Sequence, residues 1–297
     1  MMPAAMSNHW KTLPLLLLCL ACAAEAQSLR EKIVHYSHDN LRNIPHVHAG
    51  AGSLNYTALY QRPTYASKFL FLHRGQLMPK SSIGRHYHNR MEEMFVILDG
   101  KAEFTIDGRT SALDGPAGAP CRMGSVHGIY NPTDEPVEWM NIAVTSIRGE
   151  YDAFDMGDDG VGAPLDKKPI FMNMQLRKEN TKPMEKMYGG KGTALYRRAL
   201  PHQVFKSDWA YADHLILPPG ASLGKHLHRG VEELHYVIRG AGSLHVNDEQ
   251  APFAKDDALF IEYGQAHSIE NTGSEEMELL IIGVALEKDR VDVEPVE

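Results

Sequence analysis

Short runs of β-favouring residues recur along this chain, each closed by a turn-forming residue. Phe69–Leu72, Met94–Leu98, Ala102–Ile106 and Met140–Val144 are punctuated by Gly75, Asp99-Gly100, Asp107-Gly108 and Asn131-Pro132. A second set follows at Leu215–Leu217, Leu234–Ile238, Ser243–Val246 and Leu279–Ile282. Many short strands with turn signals at close spacing predict an all-β fold of sandwich or jelly-roll barrel type. Residues 150–186 break the rhythm. Asp152, Asp155, Asp158 and Asp159 among several glycines, then Lys- and Met-rich sequence, predict a polar inter-domain linker with a short helix.

The two sets of strands share more than rhythm. His86, His88, Glu93, Gly100, Gly124, His127 and Asn131 recur as His226, His228, Glu233, Gly240, Gly264, His267 and Asn271, always 140 residues on. Between His86 and Asn131 no residue is gained or lost relative to the second copy. Upstream, Thr57–Arg62 matches Thr193–Arg198 at an offset of 136, which predicts four extra residues in the second copy before Gly224. Each unit has the length of a small domain, too long for a solenoid repeat. The expected boundaries are 27–149 for an N-terminal domain, 150–186 for the linker and 187–297 for a C-terminal domain.

Residues two apart on a strand face one side, so His86 and His88 can point at one ion. Glu93 follows across a turn at Asn89-Arg90, and His127 returns from a later strand. Three imidazoles and a carboxylate form a ligand set for a divalent transition metal such as Mn, Fe, Ni, Cu or Zn. The set occurs twice, as His86, His88, Glu93, His127 and as His226, His228, Glu233, His267. Burying such a set without an ion would carry a heavy desolvation cost. Strand parity puts His235 on the same interior face as Glu233, where the first copy has Phe95. His235 is therefore the candidate catalytic residue, a proton carrier beside the metal, and the C-terminal unit is the favoured reacting one.

Other residues read more plainly. Glu92 and Glu232 should face away from the metals, and Arg85 and Arg122 read as solvated charge. Tyr60 and Tyr196 read as core. His46-Val47-His48 imitates the ligand spacing but has no later Glu and His at the required intervals, so it reads as an exposed N-terminal segment.

The two segments resemble the cupin pattern G-x5-H-x-H-x3,4-E-x6-G followed by G-x5-P-x-G-x2-H-x3-N. The match runs through His86-Tyr87-His88, Glu93, Gly100, Gly124, His127 and Asn131, and through their counterparts in the second copy. The chain looks like a bicupin over about residues 50–147 and 187–287, which implies two tandem jelly-roll β-barrels, each with a metal inside. The pattern's proline is Arg122 in one copy and Glu262 in the other, and its early glycine is displaced to Gly84 and Gly224. Bicupins that degrade oxalate carry an arginine shortly before the first histidine pair. Ile83 and Leu223 stand there in this chain, which argues against oxalate.

Composition narrows the partners. A net charge of −8 with no basic run excludes an electrostatic grip on nucleic acid or anionic lipid. Lys11, the apolar stretch Leu13–Ala24 and the Ala24-Glu25-Ala26 site predict a signal peptide over 1–26, with the mature chain starting at Gln27. An exported protein, periplasmic or secreted and free of the membrane after cleavage, is expected. Cys19 and Cys22 leave with the signal and Cys121 remains alone, so stability comes from packing, metal or assembly rather than cross-links. A homodimer is compatible with paired barrels.

The expected partner is a small oxygen-rich molecule. Open positions beside each metal could take substrate and dioxygen together, which makes a dioxygenase-type oxidoreductase the leading expectation. The alternatives are a redox-neutral isomerase, lyase or decarboxylase, or a binding protein for a sugar or organic acid.

Overall fold

The computed structural model describes residues 27–62 and 64–296; the segment expected as a signal peptide, 1–26, lies outside them. Alternating β-branched, aromatic and aliphatic residues build two jelly-roll barrels, each a seven-stranded sheet facing a five-stranded one. Every sheet is antiparallel. The expected strands are present, and most run longer: Phe69–Leu77, Met91–Ile97, Lys101–Ile106 and Val137–Thr145 in the first barrel. Gly75, expected at a turn, sits inside a strand, where any Cβ would lie 1.9 Å from the carbonyl oxygen of Asn55.

The polar linker expected over 150–186 is woven into both barrels, its last strand, Lys182–Glu185, pairing with Thr193–Pro201 of the second and the rest joining the first. Phe154–Asp158 pairs with Ser82–Tyr87, and Met174–Gln175 pairs with Ala117–Cys121. Its only helical turn among the described residues is the 3-10 segment Lys178–Asn180. The N-terminal segment mirrors this arrangement: Val34–His35 pairs with Asp257–Ile261 of the second barrel. Since Val34 and Met174 are 140 apart, each barrel is edged by the arm that precedes the other.

The offset of 136 read from the Thr-Ala-Leu-Tyr match is overturned. Tyr56 pairs with Gly75 and Tyr196 pairs with Leu215, both shifted by 140. The short sequence match is a coincidence of composition, and no four-residue insertion exists.

Buried side chains of both barrels fuse into one apolar layer, including Phe69, Met94 and Met140 from the first and Leu234, Phe260 and Leu280 from the second. Tyr65 stacks on Phe260 across it, with ring centroids 3.9 Å apart. The layer is crossed by hydrogen bonds at equivalent positions. Glu92 accepts from the backbone N–H groups of Lys206 and Ser207, and Glu232 from those of Ala66 and Ser67. Lys68 and Asp208, themselves 140 apart, pair at 2.7 Å. Inside each barrel a separate apolar cluster supports the sheet floor on which the histidines stand.

Candidate metal centres and their cavities

His86 and His127 are direct partners on adjacent strands of the five-stranded sheet, as are His226 and His267. Glu93 and Glu233 reach in from the opposite seven-stranded sheet. All eight residues are buried, and within each set the donor atoms lie within 4.8 Å of one another. Both quartets expected from the sequence are therefore assembled.

The imidazoles are aimed. His86 donates its Nδ1–H to the Gly84 carbonyl at 2.8 Å, His226 to that of Gly224 at 2.8 Å, and His88 to that of Asp152 at 2.6 Å. His228 makes the matching bond to the Asp292 carbonyl, and His267 bonds that of Gln265 at 3.1 Å. Fixing Nδ1 in this way turns each Nε2 lone pair inward, as metal ligation requires.

The residues fit a divalent transition metal at both sites. In the first, His127 Nε2 is 2.9 Å from His86 Nε2, 3.1 Å from His88 Nε2 and 3.3 Å from Glu93 Oε2. Donors at right angles about 2.1 Å from a shared ion would be about 3 Å apart. In the second, His267 Nε2 is 3.1 Å and His228 Nε2 is 3.5 Å from Glu233 Oε2, and His228 Nε2, although buried, has no hydrogen-bond partner among the described residues.

The charge state agrees. Burial pushes the Glu93 and Glu233 carboxyls up, but the facing imidazoles, led by His88 and His228, outweigh it and hold both well below the usual range. Burial and the neighbouring His267 drive His226 down to about 3, while His228, held by Glu233 against burial, rises to about 8. Each quartet thus holds an ionised carboxylate, the charge state in which it ligates a cation.

His235 is interior, as strand parity predicts. Its Nε2 meets Glu233 Oε2 at 2.8 Å, and the Tyr211 hydroxyl donates to Glu233 Oε1 at 2.7 Å. Around them a polar network fills the second barrel. Arg198 makes two 3.0 Å bonds to Asp213, Tyr196 donates to the same carboxylate at 2.8 Å, and the remaining cavity is about 220 Å³. Burial raises Asp213 to about 6 despite the bonds from Arg198 and Tyr196. Tyr196, expected in the core, lines this cavity; Tyr60 is core as expected.

Of that network the first barrel keeps a single tyrosine, Tyr56 in the place of Tyr196. Ala58 faces His73 across the strands where Arg198 faces Asp213, and Phe71 and Phe95 replace Tyr211 and His235. A cavity of about 550 Å³ remains, opening on His86 and Glu93.

His48, expected in an exposed N-terminal segment, instead lies against the first centre. Rather than trailing in solvent, its ring stacks on His86 with centroids 3.9 Å apart, and its Nδ1 is 2.5 Å from Asp155 Oδ1. Tyr188 covers His226 in the same way at 4.3 Å. Both residues hold left-handed backbone, at φ 52° and 54°. The signal was the displaced glycine. A Cβ on Gly84 would lie 2.0 Å from the His48 carbonyl oxygen, so glycine there lets that segment close over the ligand. Arg85 pairs with Asp158 at 2.8 Å, away from the centre.

A family model described as a cupin domain matches the chain twice, at residues 73–143 and 213–283. An oxalate-binding protein of Thermotoga maritima is 35% identical over 100 residues, which are 34% of this chain and 83% of that protein. Among solved structures, the Lactobacillus farciminis oxalate decarboxylase in its formate complex matches with a TM-score of 0.62 at 17% identity, covering 89% of this chain and 88% of that one. A Bacillus subtilis oxalate decarboxylase structure, described by its Mn(II) centres, matches at 0.60 and 16% identity over 89% of this chain and 79% of that one. Likeness at these identities is likeness of fold.

Proposed function

The chain belongs to the cupin family, with two cupin domains in tandem, and from that premise we propose a metal-dependent enzyme that decarboxylates a carboxylic acid in its N-terminal barrel. The observation that carries the reading is the contrast between the centres. One opens on about 550 Å³, while the other is filled by Arg198, Asp213 and Tyr196. A cavity of the larger size accommodates an organic ligand.

The relative named for oxalate binding supports a carboxylate ligand, and so supports the redox-neutral alternative over the oxygen-using one. An acid that would chelate an ion held by these four residues would compete with dioxygen for it. A bound divalent ion would supply Lewis-acid polarisation of that carboxylate, with Mn the first candidate by analogy with the Bacillus enzyme. His86, His88, Glu93 and His127 would hold it.

The chain supplies the rest. Ile83, Phe71 and Phe95 line an apolar wall. Loss of carbon dioxide leaves an electron pair on the substrate carbon that must take one proton, R–COO⁻ plus H⁺ giving R–H and CO2. Tyr151, His48 and Asp155 are hydrogen-bonded in series at the cavity and offer that proton a route, with the Tyr151 hydroxyl 3.3 Å from His48 Nε2. His235 belongs to the other barrel and touches a ligand, so its role in this reading is to position Glu233.

Export to the periplasm or beyond remains part of the proposal, on the strength of the Leu13–Ala24 run and the Ala24-Glu25-Ala26 site. N-terminal sequencing of protein from the periplasm or medium that starts at Gln27 would support it, and protein retained in the cytoplasm with an intact N-terminus would remove it.

The reaction class is tested by incubating Mn(II)-loaded protein with oxalate and a panel of larger carboxylic acids under argon. Carbon dioxide release without oxygen is expected. Turnover that appears only with oxygen, with oxygen consumed in step, would return the protein to the dioxygenases.

A further inference from the structure

Two polar atoms of the N-terminal cavity have no partner among the described residues. The Nε1–H of Trp139 is a buried donor and Oδ1 of Asn141 a buried acceptor, with side chains on the same face of Val137–Thr145. The amide orientation is fixed by chemistry: Asn141 Nδ2 is 3.2 Å from Glu93 Oε2, and a carboxylate only accepts. Trp139 is 2% and Asn141 7% exposed. Leaving such groups unpaired costs about 1–3 kcal/mol each.

The fold does not require them. The second barrel carries Leu279 and Ile281 at the positions 140 residues on. The polar pair is therefore particular to the N-terminal barrel.

We infer that the N-terminal cavity binds a 2-hydroxy acid with an apolar or aryl body, its hydroxyl accepting from Trp139 Nε1 and donating to Asn141 Oδ1. A hydroxyl is a group that can satisfy one donor and one acceptor together. It lies near the acid function because Asn141 also touches the metal ligand Glu93. Phe71, Phe95, Ile83 and Tyr56 receive the body of the molecule, and oxalate, with neither body nor hydroxyl, leaves most of the cavity unfilled. Trp139 and Asn141 are thus specificity-determining residues. The inference rests on the assignment of the N-terminal barrel as the substrate site and names its substrate class.

The test is calorimetric binding to the Mn(II)-loaded full chain, comparing mandelate with phenylacetate, which lacks the hydroxyl, and with oxalate. Mandelate is expected to bind at least tenfold more tightly than phenylacetate. Trp139→Phe and, separately, Asn141→Ile should bring that ratio close to one, with metal content checked in each. Should Asn141→Ile lose metal, Trp139→Phe still decides. Equal affinities in the wild type would mean that water alone serves these atoms and would overturn the inference, as would a preference that survives both variants. The outcomes separate from the reaction reading. Selective binding without carbon dioxide release spares the inference and sinks decarboxylation, whereas decarboxylation without hydroxyl selectivity does the reverse.

Discussion

Glu92 and Glu93 are successive residues on one strand and serve different barrels. Glu93 points into its own metal centre, while Glu92, fully buried, accepts hydrogen bonds from Lys206 and Ser207 of the other barrel. Glu232 and Glu233 repeat the arrangement. Strand alternation makes this division inevitable once both carboxylates are buried. The ligand-bearing strand is thereby tied to the junction between the domains.

Glu92→Gln should destabilise the folded chain by roughly 3 kcal/mol, because charge-assisted bonds to buried N–H groups are lost. Glu232→Gln should cost less, since Glu92 also accepts from the Ser207 hydroxyl and Glu232 bonds backbone N–H groups alone. Urea denaturation of both variants checks the order, and a neutral Glu92→Gln would show that the junction does not depend on it.

His235→Gln and Tyr211→Phe each remove a bond that holds the Glu233 carboxylate in place. Each should weaken metal binding at the C-terminal centre about 10–100-fold. The N-terminal centre, where Phe95 and Phe71 occupy these positions, should be unaffected. Chelator competition resolves the two affinities.

Asp213 gives a pH-dependent signature. Its folded value, raised by burial to about 6 from 3.8, means the folded chain keeps a proton that the unfolded chain loses between those values. Its contribution to stability is present in full below the unfolded value and lost as pH rises through about 6. Relative to wild type, Asp213→Asn should gain up to about 3 kcal/mol between pH 4 and pH 7. Loss of Arg198's partner shifts both pH values alike and leaves this difference intact. Thermal unfolding at the two pH values tests it.

Ala58→Arg combined with His73→Asp would rebuild in the first barrel the pair that fills the second. Metal content should be unchanged while acid binding and turnover fall below detection. Retained turnover in a variant shown to fold would contradict the role given to the open cavity.

The ligands and the fold class were legible because their signals are local. The histidine pair, the glutamate five residues on and the turn glycines lie within short stretches, and duplication repeats them. The exchanged arms were not, since Val34–His35 and Met174–Gln175 are two-residue strands whose partners lie far along the chain. The place of His48 is not legible from ligand spacing, because it is set by the close approach of its segment to Gly84. The asymmetry of the cavities was half visible. Phe95 against His235 followed from counting, but Ala58 against Arg198 was hidden behind the false offset of 136. Counting also pointed to the polar barrel as the reacting one, because a sequence does not show that Arg198 and Asp213 fill the space they line.

The account stands on the claim that the two centres bind metal alike and differ in what else they admit. The most direct measurement is carbon dioxide release, with metal content, for His88→Ala and His228→Ala made separately. Each variant should keep one metal equivalent of two. His88→Ala should lose turnover and His228→Ala should retain most of it. The opposite pattern, activity lost with His228→Ala and kept with His88→Ala, would place the chemistry in the C-terminal barrel and contradict the account.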